Sequence, residues 1–198
     1  MILIINNVEN KYFIKGEFVM VPQNFIINIE NQKWLFNEQE DLCSHGEIYL
    51  NVDGTIITRT GMDEEWGISE SALALLRTLD KEYICDIENE EGLILHGCGT
   101  MLMLGCPISI HWTINHIGEN VVLKDFVKVI STDQKAIYYE GLHIELNENE
   151  YRKQIVSFAL QAKELFNKSS EKIILNELER SMYTDFWTEY DHLLNKYK

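Results

Sequence analysis

Basic residues are scarce in this sequence. Seventeen Lys and Arg stand against 32 Asp and Glu in 198 residues, a formal net charge of -15. Such a field repels nucleic acid and anionic lipid and draws cationic partners. Proline is nearly missing: Pro22 and Pro107 are the only two, so no Pro-rich linker divides the chain. No apolar run approaches the roughly 18 residues of a membrane span. The segment MILIINNVENKYF carries neither a basic leader nor a small-residue cleavage site, so the expected compartment is the cytoplasm. None of the four cysteines, Cys43, Cys85, Cys98 and Cys106, forms a CxxC pair. In a reducing compartment they are expected as free thiols, with a Cys98–Cys106 disulfide across a hairpin left open.

Catalytic signatures are missing as well. There is no Walker lysine, no GxGxxG after a strand, no H-E-x-x-H, no EF-hand loop and no G-x-S-x-G. These gaps argue against a nucleotide-binding loop and against the common metal and serine hydrolases.

What remains is an ordinary globular composition, 45% hydrophobic and 11% aromatic. The length suits one domain over residues 1–198. The first half reads as short strands at residues 1–5 and 17–30, then a hairpin from Ile48 to Thr60 turning at Val52-Asp53-Gly54, since Asp-Gly favours a tight turn. Ser69 is the expected N-cap of a helix carrying Ala72, Leu73, Leu75, Leu76 and Leu79. Strands follow at Tyr83–Ile87, then Leu93–His96 paired with Met101–Leu104. In Ser109–His116 the residues Ile108, Ile110, Trp112 and Ile114 share one face. Val121–Ile130 and Lys135–Ile144 complete the set. Asn147 and Glu150 then open a helix with Ile155, Phe158, Ala159, Ala162, Leu165 and Phe166 on one stripe. A last helix is expected from about Glu171, with Ile174, Leu178, Met182, Phe186, Trp187, Tyr190 and Leu194 inward. Strands followed by helices predict an α+β fold. Its mostly antiparallel sheet would carry one central helix and a C-terminal helical hairpin on one face, the other face staying partly open.

Two chemistries compete for the polar residues. His96, Cys98, Cys106, His111 and His116 are of zinc-ligand type, and Cys98 with His111 or His116 also has the makings of a nucleophile and base, Cys98, His96 and His111 being the first suspects for an enzyme. This supports an alternative reading as a small enzyme or metal-binding protein. However, the spacing fits no established metal motif, and no oxyanion hole or orienting group accompanies the Cys–His pairs. No catalytic residue, metal site or cofactor is therefore assigned. The acidic residues make the leading candidate. Glu38, Glu40 and Asp41, then Asp63, Glu64 and Glu65, then Glu88, Glu90 and Glu91 form three dense clusters. Trp34 and Trp66 lie beside the first two as candidate interface anchors, or as buried lids on the sheet. Trp112 and Trp187 are expected in the core.

The strand IHWTINH, the following VVLKDFVKV and the helix YRKQIVSFALQAKELF cover about residues 93–168 together with their flanks. In these features the chain resembles the small acidic immunity proteins of bacterial polymorphic toxin systems. The resemblance carries no catalytic residue. It implies one protein partner, a cognate toxin domain, in many cases a nuclease with a basic cleft; the net charge and the lack of an apolar span separately set aside nucleic acid and membrane as ligands. A third reading is a structural or assembly subunit with an exposed sheet edge.

Overall fold

A computed structural model describes residues 11–14, 17–20, 24–88, 91–97 and 106–198. Its scaffold is a nine-stranded sheet in which every pairing is antiparallel. A separate two-stranded ribbon is formed by β1 (Lys11–Ile14) and β2 (Glu17–Met20). The large sheet contains β3 (Phe25–Lys33), β4 (His45–Val52), β5 (Thr55–Thr58), β6 (Trp66–Gly67), β7 (Ile94–His96), β8 (Ser109–Ile117), β9 (Asn120–Val129), β10 (Ala136–Tyr138) and β11 (Ile144–Asn147). Three helices accompany it: α1 (Ile68–Arg77), α2 (Glu148–Lys168) and α3 (Glu177–Tyr197). This is the expected α+β architecture, with a central helix and a C-terminal helical hairpin.

The sheet runs β10-β9-β8-β7-β6-β4-β3. Two central strands each serve two partners along one edge. β4 pairs with β5 near Val52 and with β6 near His45. β9 pairs with β10 near Val129 and with β11 near Val121. The β4–β5 turn is the one expected: Asp53 and Gly54 both take positive φ, 47° and 82°, as a two-residue hairpin of this twist requires. Curvature brings Phe25 of β3 to Trp112 of β8, with ring centroids 6.2 Å apart. Lys128 of β9 reaches β5, donating to Ile57 O at 2.7 Å and to Glu64 at 2.5 Å.

Several elements differ from their expected bounds. Residues 135–144 do not make one strand. Beside them β9 bulges at Asp125, which has a φ of 56°, and the ladder skips residues between β8 and β9 there. The neighbouring chain leaves the ladder over 139–143 and returns as β11. Ser69 is not the α1 cap. β6 runs straight into the helix, so Gly67 holds the N-cap position without a side-chain bond. Ser69 Oγ instead accepts from Ser44 N at 2.9 Å, tying the helix to the entry of β4. α3 starts at Glu177, because residues 170–176 stay extended along the 34–41 loop: Ile173 N donates to Gln39 O at 2.8 Å. Asn176 then caps α3, accepting from Leu178 N. Of the 83–87 strand only a single bridge remains, Tyr83 to Ile114. Met101–Leu104 lies outside the described residues.

Helices α1 and α2 close one face of the sheet over Ile27, Ile48, Leu50, Ile110 and Ile114, all within 1% of full burial. α2 begins as the N-x-x-E spacing implies, Asn147 accepting from Asn149 N. α3 is fastened to α2 by Tyr190 OH donating to Ala159 O, and to α1 by the two-bond Arg77–Glu189 pair at 2.7 and 2.6 Å. Trp112 is fully buried. Trp187 is half-buried, among Phe166, Tyr183, Phe186 and Tyr190. The opposite face is not open at β8. Residues 83–88 and 91–92 cover it, leaving Ser109, His111 and Thr113 buried.

Candidate functional site

The three acidic clusters separate into surface and interior. Glu40, Asp63, Glu88 and Glu91 are exposed, and Glu90 lies outside the described residues. Glu38 is half-buried and accepts from Ser170 N at 2.6 Å, a bond that holds its carboxyl below the ordinary range. Glu64 and Glu65 are taken up by intramolecular pairs with Lys128 and Lys33, at 2.5 and 2.8 Å. Asp41 is 2% exposed and Trp66 is 2% exposed. Neither can meet a partner. Trp66 sits on the short strand β6 inside the core and donates from Nε1 to Thr58 Oγ1 at 3.1 Å. Of the two candidate anchors it is the lid.

Trp34 is half-buried. It meets Phe166 edge-on at 4.7 Å and carries the Lys172 ammonium 3.4 Å from its ring centroid. This clasp, with Lys172 also donating to Glu38 O, fixes the 34–41 loop against residues 170–176. The two segments expose apolar side chains at their rim. Phe36 is 63% exposed, Leu175 92% and Leu178 67%, with Leu35 and Ile173 also exposed. Glu40, Glu171, Glu177 and Glu179 are exposed on the same segments, with one exposed cation, Arg180, paired to Glu177 at 3.7 Å. An isolated surface leucine is unremarkable, but several on adjoining segments with an acidic surround have the composition of an interface.

Beneath the same loop lies a buried polar cluster. Asp41, Cys43 and His45 occupy alternate positions on the approach to β4, so they point to one side. Cys43 Sγ is 3.3 Å from His45 Nε2 and 3.8 Å from Asp41 Oδ1, and the latter two atoms are 3.6 Å apart. Burial alone would raise the Asp41 carboxyl. The His45 imidazole, with the Leu35 and Phe36 N–H groups donating at 2.7 and 3.2 Å, holds it below the ordinary carboxylate value. Glu70 enters from α1 and lies against the thiol, where burial pushes its carboxyl up to about 7. Burial and these two carboxylates push the Cys43 thiol far up. That is the reverse of what a nucleophilic cysteine needs. Gly97 completes the enclosure: a Cβ there would lie 2.9 Å from His45 Nδ1.

The histidines expected to compete for zinc do not converge. His96 Nδ1 lies 3.7 Å from Cys106 Sγ. His111 is committed to Ser109 Oγ at 2.7 Å and Tyr83 OH at 2.8 Å, and burial pushes it down to about 4. His116 lies between Glu148 at 3.0 Å and Thr78 O at 2.9 Å. Its burial favours the neutral ring, but two acceptors around it outweigh that and raise its pKa. Cys98 lies outside the described residues. Cys43, Cys85 and Cys106 are free thiols. An open cleft of about 540 Å³ at the β9 bulge is lined by Cys85, Asp125, Tyr138, Tyr139 and His143 among others. Its thiol is pushed up to about 11 by burial and by Asp125 and Asp86.

The sequence reading missed the Asp41–Cys43–His45 cluster. The available signal was the i, i+2, i+4 spacing in Asp41-Leu42-Cys43-Ser44-His45, which puts three ligand-type side chains on one side of an extended segment. No family model, curated protein or solved structure matches this chain. No helix among the described residues is long and apolar enough to cross a membrane.

Proposed function

We propose that this chain is an inhibitory binding protein of the immunity type, neutralising a cognate basic bacterial toxin domain in the cytoplasm. The observation that carries the reading is the exposed apolar rim of the 34–41 loop and the 170–178 segment, set among acidic side chains. Phe36, Leu175 and Leu178 supply area to be removed from water. Glu40, Glu171, Glu177 and Glu179 supply complementarity to a cationic face. A net charge of -15 adds long-range attraction that raises the association rate, which matters when the free partner is lethal. A nuclease would fit, because a phosphate-binding cleft is basic and the inhibitor is acidic.

The test begins with capture from the native host by the tagged chain and, in parallel, by a Phe36→Glu/Leu175→Glu bait. The expected result is a basic domain held by the first bait and lost by the second. That domain is toxic when expressed alone and harmless when co-expressed with this chain. Recovery of no basic protein, or toxicity that persists on co-expression, contradicts the reading.

A further inference from the structure

The buried cluster under the interface loop brings three ligand-type atoms into one triangle, linked by weak thiol hydrogen bonds. We infer that Asp41, Cys43 and His45 form a divalent-metal site of zinc type, with Asp41 Oδ1, Cys43 Sγ and His45 Nε2 as three ligand atoms, a water completing the four, and Glu70 as the neighbouring carboxylate that supports them.

The three separations, 3.3, 3.6 and 3.8 Å, define a nearly equilateral triangle. Zinc bonds of about 2.3 Å to sulfur and about 2.0 Å to nitrogen and oxygen, arranged tetrahedrally, set such edges at roughly 3.3–3.6 Å. The three ligand atoms need to close by only about 0.3 Å to meet these edges. Cys43 makes the weak hydrogen bonds of a thiol to His45 and Asp41, while the His45–Asp41 distance is too long for one. A second observation points the same way. Oε1 of Glu70 is shielded from solvent with no hydrogen-bond partner, while its other oxygen accepts from Ser69 Oγ at 2.8 Å. An unpartnered carboxylate oxygen beside a buried thiol and a second carboxylate calls for a positive charge. The donor set of thiolate, imidazole and carboxylate suits zinc rather than magnesium or calcium.

The scaffold is built to hold these groups. Ser69 Oγ accepts from Ser44 N, which locks the Glu70 turn of α1 to the Cys43–His45 segment. Asp41 Oδ2 is held by the Leu35 and Phe36 N–H groups, and Oδ1, which accepts a long bond from Cys43 N at 3.4 Å, faces the cluster. Gly97 leaves room for the His45 ring. On binding, Cys43 gives up its proton to solvent and coordinates as thiolate, and no electron transfer is involved. Because Asp41 bonds both the cluster and the Leu35–Phe36 backbone, a metal here stiffens the loop that carries the apolar rim.

Cobalt reports on this directly. The full chain is refolded from urea with Co²⁺, so that burial does not bar entry, and freed of excess metal by gel filtration. One bound equivalent is expected. A thiolate-to-cobalt band in the near ultraviolet and the intense visible bands of four-coordinate cobalt are expected, both lost on adding Zn²⁺. Cys43→Ser, with its far-ultraviolet dichroism intact, should lose the near-ultraviolet band. Glu70→Gln should keep it with affinity about tenfold weaker. Should Cys43→Ser fail to fold, the triple variant Cys85→Ser/Cys98→Ser/Cys106→Ser decides, since it must retain the band. Absence of bound cobalt, weak six-coordinate spectra, a band that survives Cys43→Ser, or its loss in the triple variant each overturns the assignment.

Discussion

Glu40 and Asp41 adjoin in the chain and face different media. Glu40 is exposed on the loop. Asp41 is 2% exposed and binds two backbone N–H groups with one oxygen while presenting the other to Cys43 and His45. The same contrast separates Asp63 from Trp66, three residues apart, one at the surface and one in the core. Local composition is alike on both sides of each comparison. What differs is whether the residue falls where the chain enters the sheet: β4 begins at His45 and β6 at Trp66. Acids on the loops contribute to a field that acts over about a Debye length and fades with salt. Acids at strand entries are desolvated, so each one must be paired, and removing a partner is costly.

The predictions probe that division from the interior outward. Trp66→Ala should destabilise the fold by about 3–5 kcal/mol through the cavity it leaves, measured by urea unfolding. A surface anchor would show almost no loss.

The second concerns His111, enclosed by Ser109 and Tyr83, with Asp86 as the nearby charge. Its pKa falls from 6.5 to about 4 on folding. A histidine held neutral contributes full stability above its unfolded pKa. That contribution declines as pH falls through 6.5 toward 4, by about 3 kcal/mol in total. His111→Gln should remove this slope. An identical pH dependence in wild type and variant would refute the account of its burial.

Third, Asp41→Asn should cost about 2 kcal/mol, by weakening charge-assisted bonds to Leu35 and Phe36 N–H. It should also weaken partner binding through a looser loop, even though Asp41 touches no partner. Smallest in stability, Glu40→Gln and Glu88→Gln together should leave Tm unchanged. They should slow association with the basic partner a few-fold at low salt, with no difference at high salt. Association that is insensitive to salt would remove charge steering from the account.

Much of this fold could be read from periodicity. The Asp53-Gly54 hairpin, the Asn147 cap, the apolar face of β8 and the α2 stripe each follow from residues close together in the chain. The divided edges of β4 and β9 could not be read, because a second partner along one edge is a long-range event. The β9 bulge at Asp125 carries no local signal strong enough to break the 135–144 strand. The late start of α3 also depends on a distant contact, Ile173 N to Gln39 O. Of the site, the acidic clusters were visible as composition, while their split into surface and interior was not. Burial depends on where strands begin, and charge density does not encode it. Cys43 read as a packed thiol because its carboxylate neighbour Glu70 comes from another element.

The most direct measurement pairs toxin neutralisation with spectroscopy of the same protein. Phe36→Glu/Leu175→Glu is compared with wild type in a growth assay against the captured basic domain, and both are refolded with cobalt. The account predicts that the variant keeps its fold and its cobalt spectrum but no longer protects cells. A variant that protects as well as wild type would contradict the assignment of the apolar rim as the working surface.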